Sequence, residues 1–123
     1  MISTCRTLVE DLAAESPALA GALREAKEYW APDEPPVTSL LATLASCLVD
    51  PSAESTAPET ERALHIVDAA MASGDADLVT AAATGFIEGL AASADRHGVL
   101  TTFLAALGPV SRSHADLWLS FEG

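Results

Sequence analysis

The stretch TAPETERALHIVDAAMASGDADLVTAAATGFIEGL, residues 56–90, decides the fold class. It opens on Thr56, whose hydroxyl can accept from a first-turn amide while Glu59, three positions on, reaches back to the Thr56 amide, a reciprocal capping box. Ala63, Leu64, Val67, Ala70 and Met71 then recur at spacings of three and four, which places them on one face of an α-helix. Gly74 supplies the left-handed conformation that ends such a helix, and Asp75 or Asp77 can cap the next. In that second helix Val79, Ala82, Ala83, Phe86 and Leu90 fall at i, i+3, i+4, i+7 and i+11. The pair reads as an antiparallel helical hairpin.

Helix punctuation continues on both sides. Ser3 is a candidate cap for a first helix reaching about Ala14, with Leu8 and Leu12 on one face, and Ser16-Pro17 gives an N-cap followed by proline at the first helical position. The second helix therefore runs from Pro17 to about Trp30. Pro32, Pro35 and Pro36 stop it and make an extended connection to a third helix from about Pro36 to Val49. That third helix is the longest apolar run, but Thr38, Ser39, Thr43 and Ser46 interrupt it and it is too short to span a membrane. A small polar linker, residues 50–55, leads back to Thr56.

Beyond Leu90, Gly98 blurs the boundary between a fifth and a sixth helix. Val99, Leu100, Phe103, Leu104 and Leu107 read as a buried face ended by Gly108-Pro109. The last helix starts near Ser111, and its Leu117, Trp118 and Phe121 are expected to dock on the core, with a second interface set as their alternative. No strand-like alternation competes, and no period of about 30 to 45 residues aligns the apolar positions as a solenoid array requires. The expectation is one all-α domain over residues 1–123, a single bundle of about seven helices packed in an orthogonal or solenoid-like way.

Composition narrows the partners. The 123 residues carry 18 Asp and Glu against 6 Lys and Arg, a net charge of −12. Such a surface repels nucleic acid and anionic lipid, and it steers basic proteins toward itself. Half of the residues are hydrophobic, but 25 of these are alanine, so the core rests on comparatively few large side chains. Cys5 and Cys47 are read as small reduced core residues. No apolar run of leader length follows Arg6, since Glu10 and Asp11 come next, and a cytoplasmic protein is expected.

Catalytic chemistry finds no constellation. His65 and Asp68 lie three apart, a spacing that can orient an imidazole, yet no second ligand pair accompanies them; His65 is read as a solvated residue. His97 and His114 are read as solvated near helix starts. Asp75 and Asp77 form an Asp-x-Asp pair that could hold a cation, but both sit where a helix N-terminus calls for a carboxylate. No serine lies in a nucleophile elbow, and Gly85, Gly89 and Gly98 lie in or beside helices instead of forming a phosphate loop. We therefore expect no enzyme activity, no metal and no cofactor.

An interface is the better use of the remaining features. Tyr29 and Trp30 run into Asp33 and Glu34, with Glu25 and Glu28 just before, so aromatic anchors stand among carboxylates at the end of a helix. These six residues are the candidate contact set for a basic protein. Trp30 carries an alternative as well, that of packing the helix end onto the core.

The runs Ala72-Ser73-Gly74-Asp75-Ala76-Asp77-Leu78-Val79, Gly85-Phe86-Ile87-Glu88-Gly89-Leu90 and Leu107-Gly108-Pro109 resemble the C-terminal half of a family of small acidic helical bacterial proteins. Similar proteins occur as immunity partners of polymorphic toxins, and the resemblance covers about residues 59 to 109. It implies an immunity (antitoxin-like) protein that neutralises a toxin by occlusion. The other expectation is a helical adaptor or self-associating module with no toxin partner. No contact residue is carried over from that family.

Overall fold

The computed structural model describes residues 4–122, with side chains through Phe121. Seven helices follow one another, and no strand occurs among the described residues. They are α1 (Cys5–Ala13), α2 (Pro17–Trp30), α3 (Val37–Val49), α4 (Ala57–Met71), α5 (residues 76–96), α6 (Leu100–Ala106) and α7 (Pro109–Glu122). A single 3-10 turn, Pro51–Ala53, joins α3 to α4.

The caps explain where the helices begin. Ser3, the expected cap of α1, lies outside the described residues; Thr4 holds the cap position and accepts from the Thr7 amide at 3.0 Å. Ser16 accepts from Leu19 at 3.0 Å, followed by Pro17 at the first helical position. At α4, both halves of the Thr56/Glu59 capping box form. Asp75, not Asp77, caps α5 by accepting from the amides of Asp77 and Leu78. Gly74, at φ 80°, supplies the left-handed turn between α4 and α5.

α3 lies at the centre because it is apolar on more than one face: Leu40, Leu41, Leu44, Ala45, Leu48 and Val49 are all buried. Its main neighbour is α5, which comes close enough to require glycine. A Cβ on Gly85 would stand 3.1 Å from the Thr38 backbone, and one on Gly89 would stand 3.2 Å from the Ala42 backbone. α5 also touches α4, but the hairpin contact is smaller than its contact with α3.

The buried face of α5 is wider than a regular helix allows. Between two α-helical pieces, Ala76–Ala81 and Glu88–Arg96, lies a π-helical stretch, Ala82–Ile87, closed by a bond from the Glu88 amide to the Ala83 carbonyl. The extra residue in this turn brings Ala82, Ala83, Gly85, Phe86 and Ile87 inward together. The expected stripe is corrected accordingly: Val79 is half-buried, whereas Leu78 and Ile87 belong to the core. α5 then ends in a Schellman motif. Gly98 is at φ 72°, its amide bonds to the Asp95 carbonyl, and the Val99 amide reaches back to Ala94 at 2.9 Å.

Two expectations about the C-terminal region are overturned. Val99, Leu100, Phe103, Leu104 and Leu107 are half-buried against the core margin and not fully inside, because α6 is a short helix lying on the surface of the bundle. In α7, which starts at Pro109, Ser111 and Ala115 are the only buried residues among those whose side chains are described; Leu117 is 58% exposed, Phe121 is 82% exposed and Trp118 is half-buried. α7 meets the bundle through its first half. There the Asp68 carboxylate of α4 accepts from the Ser111 amide at 2.9 Å and acts as a cap supplied from another helix.

Candidate functional site

α2 carries its core contacts on Leu19, Ala22, Leu23 and Ala26, at helical spacing. The same stripe continues to Tyr29 and Trp30, but there the helix has run past the core. Tyr29 is 85% exposed and Trp30 is 37% exposed, and their rings meet edge to face at 6.4 Å between centroids. Tyr29 is thus the ring that stands in solvent, whereas most of the Trp30 surface is covered. A tight turn follows, with the Asp33 amide donating to the Trp30 carbonyl at 2.9 Å and a cis Ala31–Pro32 peptide.

The six expected contact residues are all exposed, but they do not form one patch. Asp33 and Glu34 line a cleft of about 320 Å³ between α1, the end of α2 and the start of α3. Glu34 is ion-paired across it to Arg6 at 2.7 Å. Glu28 borders a shallow hollow along α2 beside Lys27 and Ala31. Glu25 faces a different, larger cleft of about 570 Å³ between α2 and α3, shared with Cys47, Asp50 and Ser52. There, burial first and then the Asp50 and Glu25 carboxylates push the Cys47 thiol above its ordinary range. Asp50 is held low by hydrogen bonds from Ser52, which donates both its hydroxyl, at 2.8 Å, and its amide, at 2.9 Å.

Sequence reading did not find Arg6, Glu10 and Lys27, which complete the charged lining of the first cleft. Arg6 and Glu34 meet only through the packing of α1 against the proline-rich connection, and no local pattern announces a contact across that separation.

Other groups have structural partners. His65 is exposed, and the Asp68 carboxylate points away to the Ser111 amide, so the two do not form a working pair. His97 follows the end of α5, not a helix start, and donates from Nδ1 to the Ser93 carbonyl at 2.9 Å. His114 is not solvated as expected: it is half-buried and bridges α7 to α5 through Glu88 at 2.9 Å. Cys5 and Cys47 are unbridged and half-buried at the core margin. Among the described residues no group of three or more His, Cys, Asp and Glu side chains converges as a metal site. Among them, too, no helix is long and apolar enough to cross a membrane.

Residues 9–122 match a family described as a domain of unknown function, DUF7674. The chain belongs to that family. The match takes in all of α2 to α7, so the aromatic end of α2 and the Cys47 cleft lie within the family domain, whereas Arg6 of the first cleft precedes it. No curated protein and no solved structure matches the chain.

Proposed function

We propose that this protein is a bacterial immunity (antitoxin-like) protein, acting in the cytoplasm without catalysis of its own, that binds a basic toxin and occludes it. The observation that carries the reading is the end of α2, where Tyr29 stands in solvent and Trp30 is partly exposed, followed in the chain by Asp33 and Glu34, on a protein of net charge −12. Aromatic side chains exposed at a helix end are anchors in search of a pocket, and the surrounding carboxylates select a basic rim. The resemblance of residues 59 to 109 to immunity partners supplies the biological role; the charge supplies compatibility with it.

Affinity capture from the native host, with the retained protein then purified and its association followed by stopped flow, tests this. A basic protein should be retained, with an association rate that falls as salt rises, because exposed charges are screened beyond about 8 Å at physiological ionic strength. Asp33→Lys with Glu34→Lys should slow association, and Trp30→Ala should speed dissociation; a lowered melting temperature with weaker binding only through unfolding would instead show that Trp30 packs the helix end onto the core. Association independent of both salt and the charge reversal would remove the electrostatic argument.

A second reading, a self-associating or adaptor module, is favoured by the exposed Leu117 and Phe121 of α7. The two separate by genetics and by mutation. A gene beside that of a large multidomain toxin supports the first, and loss of a partner on Leu117→Ser with Phe121→Ser supports the second.

A further inference from the structure

The cleft beside Trp30 already contains a basic side chain of the protein itself. Arg6, in the first turn of α1, extends a guanidinium across the mouth of the cleft to the Glu34 carboxylate, Nη1 to Oε1 at 2.7 Å. Both side chains are well exposed, 68% and 70%, so the pair is screened and weakly held. Beneath it lie Pro35, Val37 and the buried Leu40, an apolar floor suited to the methylene stem of a long side chain. Glu10 and Asp33 add two further carboxylates to the walls, against a single other cation, Lys27.

The geometry points to this cleft as a subsite for an arginine side chain presented by the protein partner, with Arg6 as its built-in competitor in the free protein. The inference rests on the proposed reading of the segment after Trp30 as partner-facing. Charge bookkeeping supports a cation over an anion. With Arg6 displaced into solvent, the lining holds Glu10, Asp33 and Glu34 against Lys27, a surplus of two negative charges. Arginine suits the site better than lysine because a planar guanidinium is what Glu34 now holds, and its weaker hydration lets it slide over an apolar floor. Exchange of one exposed guanidinium for another is nearly neutral in charge, so the cleft reads the identity of the partner's side chain more than it adds affinity.

The probe is N-acetyl-leucyl-arginine amide, titrated into the isotope-labelled full chain and followed by amide chemical shifts, with the norleucine and glutamate analogues as controls. The arginine peptide should give saturable shifts at Arg6, Asp33, Glu34 and Val37, and the norleucine analogue should not. Arg6→Ala should tighten the arginine peptide about two- to fivefold, the range expected when a weak exposed ion pair stops competing. Glu34→Gln should weaken it. Equal shifts from the norleucine analogue, preference for the glutamate analogue, shifts confined to other helices, or weaker binding by Arg6→Ala would each overturn the proposal. Failure of the peptide while Trp30-dependent, salt-sensitive capture of a basic protein persists removes the subsite alone. Loss of that capture with the peptide still bound removes the functional reading instead.

Discussion

Asp68 and Gly108 are coupled by a contact that makes a quantitative demand. Asp68 accepts from the Ser111 amide at the start of α7, and a Cβ built on Gly108 would collide with the Asp68 carboxyl carbon and both of its oxygens. Gly108 has no left-handed φ, so the backbone itself would tolerate alanine there and the whole cost of Gly108→Ala is steric. Forcing a methyl group into an occupied space costs about 1–3 kcal/mol. Asp68→Ala loses the cap and should cost about 0.5–2 kcal/mol. In the double variant the obstructing carboxylate is gone, so Gly108→Ala should become nearly free, and the two losses should fall short of additivity by at least about 0.5 kcal/mol. Urea titrations followed by helical circular dichroism at a single temperature measure all four corners of the cycle. Additive losses would show that the carboxylate is not seated against Gly108 and that α7 is anchored in some other way.

Three further outcomes are expected. Phe86→Ala, at a fully buried position in the π-helical turn, should cost about 3–5 kcal/mol in the same titration, and a neutral result would place the wrong face of α5 inward. Gly85→Val should cost about 1–3 kcal/mol, because the neighbour it meets is the Thr38 backbone, which moves only if α3 moves. In a Cys5→Ser background, Cys47 should react with iodoacetamide more slowly at pH 8 than free cysteine does, since burial, Asp50 and Glu25 all raise its thiol. Asp50→Asn with Glu25→Gln should speed that reaction, and an unchanged rate would remove the carboxylates as a cause. The sign for stability follows from the same shift: the native thiol holds its proton more tightly than the unfolded one, so this contribution is present at neutral pH and is lost as pH rises into the alkaline range.

The helix boundaries were legible because caps are local chemistry. Ser16-Pro17, the Thr56/Glu59 box and the Gly74 turn each involve residues within a few positions of one another, and each forms as its spacing implies. What escaped depends on contacts remote in sequence or on a departure from the 3.6 period. The π-helical turn rotates the second half of α5, so a regular helical wheel could not place Leu78 and Ile87 inside. Gly85 and Gly89, four residues apart, carried a legible signal of close helix approach, but α3 as the partner did not follow from it. At the candidate site the carboxylates and aromatics were visible as a run, whereas their division among separate clefts follows from the packing of α1 and α3 on α2. The C-terminal residues show the limit of periodicity most directly. Leu117 and Phe121 sit at helical spacing like any core stripe, and nothing local records that α7 extends past the bundle.

That extension leaves two exposed apolar groups, and electrostatics separates them. Beside Leu117 on α7, Asp116 is paired with Arg112 at 3.0 Å, so this carboxylate is already answered within its own helix. At the end of α2 the carboxylates outnumber the cations, and Glu34 is paired with the exposed guanidinium of Arg6. A surface ion pair contributes about 0–1 kcal/mol, whereas a desolvated aromatic anchor contributes about 2 kcal/mol or more. Under the proposed reading the two effects therefore divide the work. The net charge of −12 governs which partners approach and how fast, and Trp30, once covered, governs how long the right one stays. Under that reading the α2 end, where carboxylates are in surplus and Tyr29 stands in solvent, is the surface on which an acidic protein would discriminate a basic toxin from the rest of the cell.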